Sequence, residues 1–99
     1  MITRTCEATV LSGLIDQFLE FLAAAVSRFP SRYPGLLDQE ILVDAGSVLY
    51  VSRWRSEADL VEYAGAHWRE QPVVLPDEGR FLAKPLVVRH FTSYGLTKI

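Results

Sequence analysis

The feature that most constrains the fold is the order of strand-like and helix-like segments along the chain. Residue patterning predicts strands over 2–11, 36–43, 48–55 and 86–92. Apolar residues at helical spacing predict one helix between the first two strands and a second between the last two. The order β-α-β-β-α-β is typical of a ferredoxin-like α+β fold, a four-stranded antiparallel sheet with both helices on one face. We therefore predict a single domain over residues 1–99.

The first predicted helix begins at Gly13, with Ser12 as its cap. Pro30 and the pair Pro34-Gly35 end it. Its apolar face has seven residues at helical spacing: Leu14, Ile15, Phe18, Leu22, Ala25, Val26 and Phe29.

The second predicted helix is capped by Ser56 and ends over residues 68–70. Its apolar stripe consists of Leu60, Val61, Ala64, His67 and Trp68. Residues 71–85 form a connection rich in proline, with a helical turn near 77–82. Within it, the apolar segment 72–76 is predicted either to lid a pocket or to dock on another subunit.

Composition excludes several classes of function. Ten Lys and Arg against twelve Asp and Glu give a net charge of −2, which predicts no nucleic-acid partner and no basic membrane anchor. The longest apolar stretch, 21–26, is far below the roughly 20 residues of a membrane span, and the first residues lack the apolar region of a signal peptide. We therefore predict a cytoplasmic protein without a membrane partner.

Cofactor signals are absent from the sequence. The single cysteine, Cys6, predicts neither an internal disulfide nor a closed metal site. The chain has no glycine-rich phosphate loop, dinucleotide fingerprint or serine-centred nucleophile elbow. We predict no metal and no cofactor. The 49% apolar content exceeds what one small core can bury, which predicts a homodimer.

Two segments of the sequence carry a family resemblance. YPGLL at 33–37 and LYVSRWRSEADL at 49–60 resemble the antibiotic biosynthesis monooxygenase family of dimeric α+β barrels. The resemblance implies that two sheets pair into a barrel, and that each subunit holds a pocket between its helices and its sheet. Members of the family include cofactor-free oxygenases of aromatic polyketides, quinol oxygenases, heme-degrading enzymes and proteins without known activity. Related barrels include polyketide cyclases.

The chain departs from the family pattern at its pocket residues. Oxygenase and heme-degrading members carry an asparagine on the first strand and a tryptophan on the second helix. This chain contains no asparagine; Cys6 falls at the first position and Tyr63 at the second. Heme degraders also carry a histidine near the position of Pro72, whereas His67 lies five residues earlier. The resemblance therefore does not imply a heme.

Three side chains are the candidates for proton transfer. His67, on the apolar face of the second helix, is either a base in an enclosed pocket or a core residue. Tyr63, one turn away, either donates a hydrogen bond to a ligand or packs against the sheet. His90 enters the pocket if the Leu86 face of the last strand meets the helices. In the opposite case, Arg89 enters instead.

Further residues are candidates for binding the substrate: Cys6, Tyr50, Arg53, Trp54, Trp68 and Arg89. For three of them, the sequence also allows a purely structural role. Cys6 either fills space or touches a ligand. Arg53 either stabilises an enolate or pairs with Asp38 or Glu40 across the hairpin. Trp54 is most often structural in such a fold.

Three functions fit these residues. The first is a cofactor-independent monooxygenase of an aromatic polyketide, hydroquinone or phenol, in which a base forms an anion that reduces dioxygen directly. The second is a polyketide cyclase or isomerase. The third is a non-catalytic dimeric module that binds a small hydrophobic molecule or assists another enzyme, so catalysis itself stays open.

Overall fold

The computed structural model describes residues 1–95, which form one four-stranded sheet, three α-helices and a short 3₁₀ helix. The strands pair in the order β2-β3-β1-β4, and each neighbouring pair is antiparallel. The elements in chain order are β1 (Ile2–Thr9), α1 (Ile15–Val26), α2 (Phe29–Arg32), β2 (Leu36–Asp44), β3 (Ser47–Trp54), α3 (Glu57–Ala64), the 3₁₀ helix (Glu78–Phe81) and β4 (Val87–Phe91). The predicted ferredoxin-like α+β fold is confirmed.

The inner face of the sheet carries both long helices. Strand register places Ala8 beside Val48 and Ile2 beside Trp54 on this face. Ala8 and Val48 belong to the cluster of buried residues that includes Phe18 of α1. Trp54 is packed in a second cluster that contains α3. The opposite, outer face has no helix packed on it among residues 1–95. No helix in this part of the chain is long and apolar enough to cross a membrane.

The two segments that carry the family resemblance meet in space. Gly35 is buried against Asp59, and a Cβ atom at position 35 would overlap the Asp59 side chain. Asp59 is fixed there because it accepts hydrogen bonds from Arg55 and from the hydroxyl of Ser56. Glycine is therefore required at position 35 for steric reasons.

The first helix is shorter than the sequence predicts. It begins at Ile15, and Leu14 occupies the capping position without a side-chain hydrogen bond, so the predicted Ser12 cap is wrong. Phe29 begins the separate helix α2, where Pro30 lies in the first turn instead of ending a helix. Proline is accepted there because first-turn amides have no partner within the helix. The buried face of Phe18, Leu22 and Val26 is as predicted.

Helix α3, which corresponds to the second predicted helix, also ends earlier than predicted. Ser56 caps it as predicted, since its hydroxyl accepts a hydrogen bond from the amide of Asp59. The helix stops at Ala64, because Gly65 adopts a φ of 86° that other residues rarely tolerate. His67 therefore lies on an exposed turn, and its predicted position on the sheet-facing side of a helix is wrong.

Candidate functional site

A cavity of about 20 Å³ lies between the inner face of the sheet and the elements that cover it. Its walls are mostly aliphatic and aromatic, with polar groups from Arg4, Cys6, Tyr50, Tyr63 and Glu78. The apolar wall is formed by Ala8, Phe18, Leu22, Val26, Phe29, Val48, Val73, Leu75 and Leu86. A space of this volume holds about one water molecule, so a larger ligand requires part of the wall to move.

Arg4 contributes a buried positive charge to this wall. The residue is 3% exposed. Its guanidinium donates hydrogen bonds to the carbonyl of Trp68 at 2.7 Å and to the carbonyl of Gln71 at 3.1 Å. Among residues 1–95, no carboxylate forms an ion pair with it. Burial lowers the pKa of Arg4, but an arginine stays charged at neutral pH. The cavity wall therefore contains a cation that forms no ion pair with a carboxylate of the described residues.

Two tyrosines line the cavity, and they differ in the contacts that they make. The hydroxyl of Tyr50 donates to the side-chain carbonyl of Gln39 at 2.6 Å, and the amide of Gln39 donates to the carbonyl of Val26. The ring of Tyr63 stacks on Trp54 with centroids 4.8 Å apart, and the Arg4 guanidinium lies 5.8 Å from its centroid. Burial raises the pKa of both phenols, so both stay protonated at neutral pH. Tyr63 is the tyrosine whose hydroxyl can serve a ligand.

The cavity contains a thiol and a carboxylate. Burial, and then the nearby charge of Glu78, raise the pKa of Cys6 to about 11, so Cys6 stays a neutral thiol and a weak nucleophile. Glu78 is 4% exposed, and burial raises its pKa above the usual range. Its carboxylate accepts a hydrogen bond from the amide of Leu75 at 2.9 Å.

The proline-bracketed segment 72–76 covers one side of the cavity. Val73 and Leu75 line it, which is the lid position that the sequence allows for this segment. A surface groove of about 370 Å³ lies immediately outside, and Phe29 and Leu75 line both spaces. Arg28 and Arg32 also line the groove. Displacement of Leu75 would therefore join the cavity to the groove.

Neither histidine lines the cavity. His67 is exposed on the turn after α3. His90 lies on the inner side of β4, because the Leu86 face of that strand meets the core, but its ring contacts Arg4 and Trp68. Its Nε2 lies 3.0 Å from Nη1 of Arg4 and must accept the hydrogen bond, since arginine can only donate.

The ring of His90 is neutral at physiological pH. Burial, and then the charges of Arg4 and Arg69, lower its pKa to about 4. Its lone pair is directed at Arg4, so His90 holds the guanidinium in position. No imidazole lines the cavity, so the histidine ligand of the heme-degrading members has no counterpart there. Within residues 1–95, no three His, Cys, Asp or Glu side chains are grouped to hold a metal ion.

Four residues predicted to bind substrate lie outside the cavity wall. Arg53 is on the outer face, where it pairs with Asp38 at 3.0 Å and Glu40 at 3.2 Å. Arg89 is also on the outer face, since it alternates with His90. Trp54 is fully buried behind Tyr63. Trp68 is buried and offers its backbone carbonyl to Arg4, while its ring lines a surface groove with His90. The prediction that Trp68 lines the pocket is wrong, whereas the other three follow alternatives that the sequence left open: Arg53 pairs across the hairpin, Trp54 is structural, and Arg89 is on the face of β4 opposite the helices.

Two residues of the cavity wall, Arg4 and Glu78, were not predicted from the sequence. Arg4 could have been found, because period-two alternation places it on the same strand face as Ile2 and Cys6. Glu78 has no such signal, since it lies in an irregular connection. Only the packing of residues 71–85 over the sheet brings its carboxylate to the cavity.

Fold and cavity together define the class of this protein, a ferredoxin-like α+β domain with an interior site between helices and sheet. More particularly, the chain has the fold of the antibiotic biosynthesis monooxygenases, as the sequence resemblance predicted. A putative member from Nitrosomonas europaea is 18% identical with a TM-score of 0.69, over 96% of this chain and 100% of that one.

Two ligand-bound structures have the same fold. The monooxygenase from the gene ActVA-Orf6 of Streptomyces coelicolor, in complex with nanaomycin D, is 15% identical with a TM-score of 0.71, over 99% of this chain and 91% of that one. A MhuD mutant with two manganese protoporphyrin IX molecules per active site is 18% identical with a TM-score of 0.63, over 99% of both chains. No family model and no curated protein sequence matches the chain.

Proposed function

We propose that this protein is a cytoplasmic, cofactor-independent monooxygenase of a phenol, hydroquinone or aromatic polyketide. The observation that carries the proposal is the buried Arg4 guanidinium, which has no carboxylate partner among residues 1–95 and lines a cavity with aromatic walls. A buried cation with this surrounding favours a ligand that becomes anionic. The monooxygenase fold and the nanaomycin D complex of a structural neighbour support the same class of ligand.

The proposed mechanism uses only groups of this chain, the ligand and dioxygen. Loss of a proton turns the phenol into an electron-rich anion, which Arg4 stabilises through charge and Tyr63 through its protonated hydroxyl. The anion transfers electrons directly to dioxygen. The substrate supplies all four electrons: one oxygen atom replaces two of its hydrogens and becomes a quinone carbonyl, and the other oxygen atom leaves with those two hydrogens as water. Apolar walls exclude bulk solvent, which strengthens both electrostatic contacts.

Ligand entry is part of the proposal. Pockets for drug-sized ligands have volumes of about 300–1,000 Å³, far above the cavity alone. The groove next to it adds about 370 Å³ once Leu75 moves aside. Residues 71–76 form few backbone hydrogen bonds. Two of the six residues are prolines, which have no N–H, and the Leu75 amide donates to the side chain of Glu78. Segment 72–76 is therefore the part of the wall that moves.

Oxygen uptake tests the function. We expect metal-free protein without added flavin to consume oxygen with anthrone- or hydroquinone-type substrates. Tyr63→Phe should reduce the rate by on the order of ten- to a hundredfold, because a hydrogen bond to a charged group contributes about 1.5–3 kcal/mol. Tyr33→Phe is the matched control, since Tyr33 contacts Tyr63 but does not line the cavity.

Other results would favour the alternative functions. No uptake across the panel would contradict the oxygenase. Conversion of a polyketide-like substrate without oxygen would favour a cyclase or isomerase acting through the same cavity. Ligand binding with neither activity would favour a non-catalytic binding or accessory module.

We also propose that the protein is a homodimer that pairs through the outer face of the sheet. Three apolar side chains on this face are close to half exposed: Leu42, Val87 and Phe91, at 46%, 46% and 43%. Leu42 lies beside Leu49, and both Leu49 and Val87 lie beside Glu7 in the strand register. A second copy would bury the apolar side chains on either side of Glu7 and cover the face that has no helix.

Gel filtration tests the dimer. The native protein should elute at twice the 11.2 kDa chain mass. Val87→Asp should elute as a monomer, because the new carboxylate would lose hydration on burial and would lie beside the carboxylate of Glu7. Val43→Asp is the control, since Val43 is 51% exposed but lies on the inner face at the sheet edge. Elution of native protein as a monomer would contradict the proposal.

A further inference from the structure

We infer that the carboxylate of Glu78 is the base that removes the proton from the ligand's hydroxyl group. The inference rests on the proposed function and specifies its substrate class as an aromatic molecule with an ionisable hydroxyl. It replaces the histidines as the proton acceptor, because neither His67 nor His90 lines the cavity.

The surroundings of Glu78 leave its carboxylate available to a ligand. The residue is 4% exposed, and the titratable groups that share the cavity wall with it are Arg4, Cys6, Tyr50 and Tyr63. Among residues 1–95, no cation forms an ion pair with it, and the one hydrogen bond it accepts comes from the Leu75 amide through Oε1. A carboxylate can accept several hydrogen bonds, so that of Glu78 can accept another from a ligand.

Of the titratable groups in this wall, Glu78 is the one that can accept a proton at neutral pH. Arg4 carries its proton permanently. Cys6, Tyr50 and Tyr63 are already protonated, because burial raises their pKa values. Burial also raises the pKa of Glu78, which makes its ionised form a stronger base than an exposed glutamate.

The proton-transfer step balances in charge and electrons. The ligand O–H bond breaks, its electron pair stays on the ligand oxygen, and the proton forms an O–H bond on the Glu78 carboxylate. The negative charge therefore moves from the carboxylate to the ligand, where Arg4 and the Tyr63 hydroxyl stabilise it. No oxidant takes part, so the step can be observed without dioxygen.

The position of Glu78 also couples the base to the lid. The Leu75 amide donates to its carboxylate at 2.9 Å, and the Glu78 amide donates to the Leu75 carbonyl at 3.0 Å. Leu75 is one of the two residues, with Phe29, that lie between the cavity and the outer groove. Closure of the segment over a ligand would therefore bring Leu75 and the carboxylate into place together.

Anaerobic binding of 2-naphthol, a phenol that is neutral in water at pH 7, tests the inference. Native protein should bind it as the naphtholate, seen as the shifted absorbance of the ground-state anion. Glu78→Gln should bind it in the neutral form, because the amide keeps the shape and the bond from Leu75 but accepts no proton. Naphtholate formation by Glu78→Gln at the native level would overturn the inference.

Turnover gives a second and separate readout. Glu78→Gln should lower the oxygen-uptake rate by about 10²–10⁴-fold, the usual contribution of a general base. A more acidic phenol that is already ionised at the assay pH should restore most of the rate, which a structural role would not. The exposed Glu70→Gln is the control. Naphtholate formation without oxygen uptake would contradict the monooxygenase and uphold Glu78 as the base. Oxygen uptake that Glu78→Gln leaves unchanged would uphold the monooxygenase and contradict the assignment of Glu78 as the base.

Discussion

Trp54→Ala should lower the free energy of unfolding by about 3–5 kcal/mol, the usual cost of truncating a fully buried tryptophan. Trp54 has no exposed surface, and its ring stacks on Tyr63 at 4.8 Å and packs with Leu60 and Trp68. Its indole nitrogen donates to the buried hydroxyl of Ser52 at 2.9 Å. The substitution therefore leaves both a void and a buried hydroxyl without its donor.

Urea unfolding at one fixed protein concentration, followed by far-ultraviolet circular dichroism, measures this loss. Total stabilities of small domains are about 5–15 kcal/mol, so the variant should unfold at much lower urea. Trp54→Phe should lose less, because a ring remains. Tyr94→Ala should change nothing, since Tyr94 is fully exposed. A loss below about 1 kcal/mol for Trp54→Ala would contradict the packing described for this residue.

Arg4→Met should lower kcat/KM for oxygen uptake by on the order of 10²–10³-fold, the effect of removing one donor that stabilises a developing anion. Methionine keeps an unbranched apolar chain but offers no charge. It also leaves the carbonyls of Trp68 and Gln71 without their donor, so the turn over residues 68–71 should loosen. The fraction of naphtholate formed in anaerobic binding should fall in parallel.

Two comparisons make this result specific. Arg4→Lys should recover only part of the activity, because one ammonium group cannot reproduce the fork that reaches both carbonyls and His90. Lys84→Met removes an exposed cation and should have no effect. Native kcat/KM and native naphtholate formation in a folded Arg4→Met protein would exclude Arg4 from the mechanism.

The four strands were predictable to within two residues at each end because their patterning reflects a local constraint. Side chains along a strand alternate between the core and the other face, so period-two patterning is readable without tertiary information. Helix ends were predicted less well. The Ser56 cap is a local motif and was correct, whereas the end of α3 depends on one backbone angle at Gly65. The apolar stripe continues past Ala64 in the sequence, so the pattern does not indicate that the helix ends there.

The candidate site was predicted in part. Tyr63, Tyr50 and Cys6 do line the cavity. Each lies on a regular element, although the sequence left open which face of β3 points inward, and therefore whether Tyr50 does. His67 does not line the cavity, since the helix that would have carried it ends before it.

The sequence by itself determined the order of the elements, which side chains share a strand face and the apolar interior, since each follows from local periodicity; which face of the last two strands points inward was decided by the tertiary structure. Tertiary structure alone decided which polar groups meet. Arg4 and Glu78 are separated by most of the chain, and their approach depends on how an irregular connection packs over the sheet. Irregular backbone has no periodicity, so the position of its side chains is fixed only by the contacts that the folded chain makes.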